Sequence, residues 1–188
     1  SKLPLPFLAA AIVIFLCALW AGLFHLGWQM PVLQASMVEN HGPLMVSGFL
    51  GTLILLERVV ALRVRLFYLG PLLTALGGAA LVFDISRQAG PLLIVLGSFF
   101  DIAILLVMLK VEPRIYIAAM ALGVAAWAVG NLLWLLGWPV FRVVLWWVAF
   151  LVFTISCNSG KSKAPEQKEA EVLPEDIVEL RDDQVKLA

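Results

Sequence analysis

Residues 5–29 read LPFLAAAIVIFLCALWAGLFHLGWQ, an apolar run without a single Lys, Arg, Asp or Glu. A helix rises about 1.5 Å per residue, so about 20 such residues cross the roughly 30 Å hydrocarbon core of a bilayer. The run is too long for the apolar core of a secretory signal and has no clean small-x-small cleavage site, so it is expected to remain as a membrane anchor. Five more stretches of this kind follow, at 43–62, 67–83, 91–110, 115–136 and 139–156. Pro31, Pro43, Pro71, Pro91, Pro113 and Pro139 punctuate them, because proline is tolerated in a first helical turn and stops a helix elsewhere. The expected fold is an all-α polytopic bundle of six transmembrane helices over residues 1–157, followed by a polar tail at 158–188.

Composition agrees. Of 188 residues, 62% are hydrophobic and 14% charged, with a mean hydropathy of +0.99; a soluble domain is about 45–50% apolar and about 25% charged. The zero net charge hides two regions: residues 1–157 hold 8 bases and 5 acids, residues 158–188 hold 5 bases and 8 acids. The bases are scattered between apolar runs rather than gathered on one face, which excludes a nucleic-acid surface. Cys17 and Cys157 suit neither a disulfide framework nor a Cys-x-x-Cys metal site. The expected partners are the lipid bilayer and further copies of the chain or other membrane subunits.

Placing the N-terminus inside puts Lys2, Arg58, Arg63, Arg65, Lys110, Arg114, Lys161 and Lys163 on the inner side and only Arg87 and Arg142 outside. The positive-inside rule then predicts both termini in the cytoplasm. Trp28, Trp134 and Trp138 fall at the outer interface, where an indole buries its ring and keeps its N–H wet, whereas Trp146 and Trp147 read equally well as filler. In the fifth span Ala119 and Gly123, then Ala126 and Gly130, lie four apart, a spacing that lets helix backbones approach closely in lipid. That helix is expected at the centre of the bundle.

The two histidines, His25 and His41, fall on the same side of the membrane. With Asn40 as N-cap, His41, Met45, Gly48 and Thr52 share one helix face. Imidazole is the commonest metal ligand and the usual axial ligand of heme iron, and Gly48 one turn deeper would leave room for a flat macrocycle. Met37, His41 and Met45 are also spaced by four, and thioethers with imidazole suit copper(I). The plainer alternative is a histidine bonded to a loop carbonyl or to water, with Met45 in the core. Ionisable groups inside a span cost at least about 2.5–3.5 kcal/mol on insertion scales and so face partners in the bundle. Arg58 is expected to snorkel to the inner headgroups and Glu57 to pair with Arg114 or Lys110. Asp101, with no evident cation at its depth, is expected to bond Asn131 or to line a polar path.

The segment HGPLMVSGFLGTLILLERVVAL from His41 to Leu62, with VGNLLWLLG at 129–137 and WWVAFLVFTI at 146–155, resembles the NnrS family of heme- and copper-containing bacterial membrane proteins linked to nitric oxide metabolism. Its H-G-x-x-M-x-x-G-F core falls on His41, Gly42, Met45, Gly48 and Phe49. The resemblance implies a bacterial inner-membrane protein with heme b or copper at His41 and a redox or protective role, while His25, Met37 and Met45 are further candidate metal ligands by residue type and position. Members of such families are longer, with more histidines beyond this point. The tail from Cys157 resembles the mature start of bacterial efflux-adaptor lipoproteins, and Thr154-Ile155-Ser156-Cys157 is an imperfect lipobox that makes Cys157 a candidate lipidation site. Lipidation would need Cys157 outside, against the charge-based topology. Residues 158–172 read as a disordered linker, too polar to offset the entropy of ordering. Two other functions therefore stay open: a scaffold or small-molecule permease with Asp101 and Asn131 along a polar path, and a membrane-tethered efflux-adaptor fragment.

Overall fold

Each expected span is a helix in the computed structural model, which describes residues 4–29, 31 and 35–161, with side chains through Ile155. Helix α1 is Pro4–His25 and α2 a short helix, Ala35–Glu39, in a connection expected to be irregular. Helix α3, His41–Leu62, is an α turn at His41–Pro43, a π segment at Leu44–Gly51 and an α-helix at Thr52–Leu62. A 3-10 turn at Arg65–Tyr68 leads into α4, Leu69–Val82. Then come α5, Ala89–Val111, α6, Ile115–Leu135, and α7, Val140–Lys161. Five helices are long and apolar enough to cross a membrane, and Val140–Ile155 forms a shorter apolar helix. The backbone of α7 continues past the expected boundary at 157 to Lys161. The Cys157 side chain and the tail beyond residue 161 lie outside the described residues.

Short connections make α4 pack on α5, α5 on α6 and α6 on α7. Helix α1 lies against α3 and α4 through a stripe of Ala11, Ile14, Ala18 and Ala21, spaced three and four apart. Its other faces, with Leu5, Val13 and Leu16, are exposed, as are Leu96 on α5 and Leu145 on α7. A surface this apolar suits lipid, where backbone groups are already satisfied within the helices.

The central helix is α3, not α6 as the small-residue spacing predicts. Half of the α3 span is buried, against 39% for α6 and 22% for α1. Gly123 and Gly130 serve a different end: a Cβ there would stand 2.8 Å from Phe153 Cβ and 2.9 Å from Trp146 Cβ respectively. They let α7 lie directly on α6. Small residues four apart report a close pairwise approach, and the identity of the partner is set elsewhere.

Helices α4 and α5 meet just as closely. A Cβ on Gly77 would lie 2.7 Å from Ile94 Cγ1 and 3.0 Å from the Gly90 carbonyl oxygen, and backbone has nowhere to retreat. Gly77→Leu is therefore expected to destabilise the protein by about 1–3 kcal/mol, read as a lower unfolding midpoint in detergent. Leu92→Ala, on the exposed face of α5, is expected to stay within about 0.5 kcal/mol.

Helices α1 and α6 end alike. The Trp28 and Trp138 amides reach back to the Leu23 and Leu133 carbonyls, closing turns in which Gly27 (φ 83°) and Gly137 (φ 91°) take the left-handed backbone that glycine adopts without strain. Each glycine hands over to an exposed tryptophan at the same end of the bundle as His25 and His41, called the histidine end below.

Candidate functional site

His25 is the last residue of α1 and His41 the first of α3, sixteen positions apart in sequence; their ring centroids lie 5.6 Å apart with the rings tilted by 53°. Helix α2 lies over them. The Asn40 side chain does not cap α3; its Nδ2 donates to the Ser36 carbonyl at 2.9 Å, closing α2, and the Val38 carbonyl meets His25 Nε2 at 3.0 Å. His41 Nδ1 faces the Ala18 carbonyl at 2.8 Å. Both rings bond a backbone carbonyl as the plainer alternative expects, but each carbonyl belongs to a helix, α1 or α2, rather than to a loop. A carbonyl only accepts, so the facing nitrogen donates an N–H, which leaves His25 Nδ1 and His41 Nε2 as the ring nitrogens that could bind a metal. Metal-binding histidines nearly always spend their other N–H in this way.

The space expected beside His41 for a macrocycle is filled. The imidazole itself lies where a Gly22 side chain would be, 2.8 Å from that Cβ position, and the gap at Gly48 holds Ile14 Cγ2 at 2.9 Å and Gly78 Cα at 3.4 Å. The residues present do not fit a heme at this position. The shared face of His41, Met45, Gly48 and Thr52 rests on 3.6 residues per turn, and the π segment from Leu44 to Gly51 breaks that period. Two features favour the wider turn: Gly48 and Gly51 lack side chains, and the Thr52 hydroxyl reaches the Gly48 carbonyl at 2.6 Å, competing with the helix ladder. Gly48 then faces α1 and α4, Ser47 faces α6, and Thr52 meets Thr74 at 2.9 Å.

The methionines stand apart in role. Met37 is buried and lines an apolar groove of about 550 Å³ with Ile14, Cys17, Ala75 and Phe83, while Met45 packs half-buried against the hydrophobic core. Among the described residues no three His, Cys, Asp or Glu side chains gather as a metal cluster.

The polar residues of the apolar spans, Glu57 apart, fall in two clusters. Arg58, expected to snorkel, is buried and places Nη1 2.6 Å from both Asp101 oxygens, tying α3 to α5. Asp101 thus has its cation after all, supplied by α3. Glu57 is exposed and makes no ion pair among the described residues; Arg114 pairs instead with Glu112 at 3.0 Å. The second cluster was not foreseen. Asn131 Oδ1 accepts from Ser47 Oγ and from Trp147 Nε1, both at 3.0 Å, and Ser47 Oγ accepts from Trp127 Nε1 at 3.0 Å. An indole N–H only donates, so Trp147 fixes which way the Asn131 amide points. All four residues are buried. Ser47 and Arg58 are eleven residues apart on α3, roughly 16 Å along its axis, and Asp101 bonds Arg58 rather than Asn131. The sequence signals for this knot were Asn131, a polar residue in an apolar run, and the tryptophans, whose indoles need an acceptor once buried.

A wider cavity of about 910 Å³ opens at the histidine end, between α2, the α4–α5 connection and the α6–α7 connection. Glu39, Asp84, Arg87, Trp134 and Trp138 line it.

Fold and site together define an all-α bundle with helices of membrane-spanning length and a pair of imidazoles at one mouth. The chain belongs to the family described as a domain of unknown function, DUF8744, whose model matches residues 4–158. No curated protein and no solved structure matches it.

Proposed function

We propose that this protein is a six-span inner-membrane protein that holds a soft metal ion, copper(I), between His25 and His41, with a redox or protective role of the kind its NnrS-like segment implies. The positive-inside rule places the histidine end on the outer face and both termini in the cytoplasm. The observation that carries the reading is the pairing of the two rings, each with its N–H committed to a backbone carbonyl. Two imidazoles bound to one ion at about 2.0 Å have centroids roughly 5 Å apart at a tetrahedral angle and roughly 6.3 Å apart when linear, a range that includes the 5.6 Å separation. Copper(I) favours few, soft or borderline ligands. The exposed His25 admits the ion from water and the half-buried His41 fixes it to the bundle.

Elemental analysis and competition with a copper(I) chelator on the detergent-purified chain test this. The expected result is one copper per chain, lost in His25→Ala and in His41→Ala and kept in Met37→Leu, with no Soret band after expression with added heme. Copper below one-tenth equivalent in the unmodified protein, or retained by both histidine variants, would overturn the reading.

A further inference from the structure

The cavity at the histidine end lies beside the imidazole pair without including either ring, and its lining has a chemistry of its own. Its volume, about 910 Å³, is within the roughly 300–1,000 Å³ of small-molecule sites. Glu39 and Asp84 bring two carboxylates to it and Arg87 a guanidinium. None of the three forms an ion pair among the described residues, where the ion pairs are Arg58–Asp101 and Arg114–Glu112. Opposite charges that share a cavity and leave each other unpaired complement a molecule with both signs better than an ion of one sign. Indoles complete the lining: Trp134 stands edge-on to the buried Trp147 with centroids 6.0 Å apart, which holds its ring in place, and Trp138 lies beyond the turn at Gly137. Indole faces attract ammonium groups and cover apolar side chains.

Asp84 closes α4 with φ at 51°, a left-handed position that aspartate and glycine both adopt, and the Ile85 amide reaches back to the Ala80 carbonyl at 3.1 Å.

We propose that this vestibule binds a small zwitterion, an amino acid or short peptide, with its ammonium group toward Asp84, Glu39 and the Trp134 face and its carboxylate toward Arg87. The proposal is independent of the metal. The test is calorimetric titration of the full chain in nanodiscs with L-leucine and dileucine, and with N-acetyl-dileucine and dileucine amide, which lack the positive and the negative end. Saturable binding of at least one zwitterion, with each capped peptide weaker by tenfold or more, is the expected result. Arg87→Gln should weaken zwitterion binding at least tenfold. Asp84→Gly should do the same while keeping or raising the unfolding temperature, which separates loss of the site from loss of the fold. His41→Ala should leave binding within twofold. No saturable binding by either zwitterion, equal binding of a capped peptide, or affinity unchanged in both Arg87→Gln and Asp84→Gly would overturn the proposal.

Discussion

Asp101→Ala is expected to destabilise the protein by about 3–5 kcal/mol, because it leaves the Arg58 guanidinium buried without its counter-charge. Arg58 is 5% exposed and Asp101 fully enclosed, so water cannot take over the lost contact. Arg58 Nη2 already has no partner among the described residues, which offer the guanidinium no second acceptor. The double variant Arg58→Met with Asp101→Leu is expected to recover most of the loss, since apolar residues of similar volume avoid the cost of desolvating two ions. Unfolding midpoints in detergent for the four members of this double-mutant cycle measure both effects. A single variant within about 1 kcal/mol of the parent would mean that the pair does not hold α3 to α5. Glu57→Ala, next to Arg58 in sequence but exposed, is expected to change stability by less than about 0.5 kcal/mol.

Asn131→Leu is the second large effect. It strips the acceptor from Ser47 and from the Trp147 indole, and each buried donor left unpaired costs about 1–3 kcal/mol. Part of this is returned, because the Asn131 amide nitrogen has no partner among the described residues and its burial is itself unfavourable. The expected net loss is about 2 kcal/mol, accompanied by a shift in tryptophan emission as the Trp127 and Trp147 indoles repack. Combining Asn131→Leu with Trp147→Phe removes donor and acceptor together and should be less harmful than Asn131→Leu alone. If the single variant matched the parent in both midpoint and emission, the knot joining α3, α6 and α7 would carry no stability.

The two effects differ in how far they could be read in advance. The Arg58 and Asp101 charges are visible in their apolar runs, and the rule that such charges find partners was sound. The error lay in letting Arg58 snorkel. An arginine four residues from a helix end can turn either way, and only the depth of α5 beside it decided for Asp101. For Asn131 the requirement for a partner was legible and its identity was not. Ser47 has no feature in sequence that separates it from an inert small residue, and it reaches Asn131 because the π segment turns it toward α6. A periodicity argument built on 3.6 residues per turn has no means of anticipating that change.

The histidines make the same point. Their placement at one end followed from the order of the spans, since one closes α1 and the other opens α3. Their separation of 5.6 Å depends on the seating of His41 against Ala18 and Gly22 of α1 and on α2, a five-residue helix whose Val38 carbonyl meets His25; neither contact is marked in the sequence. The room expected beside His41 was lost for a related reason: Gly22 and Gly48 are the places where α1 and α3 come together, and the gap at Gly48 that looked like space for a ligand is already taken by a neighbouring helix.

By itself the sequence determined the all-helical class, the helices and their approximate ends, because apolar length and proline position act locally along the chain. Tertiary structure alone decided which helix is central, which polar groups meet and how the imidazoles face each other. In lipid most outward faces are equally apolar, so no hydrophobic pattern marks the inside, and the order of packing rests on a few close glycine contacts and buried hydrogen bonds that connect residues far apart in the chain.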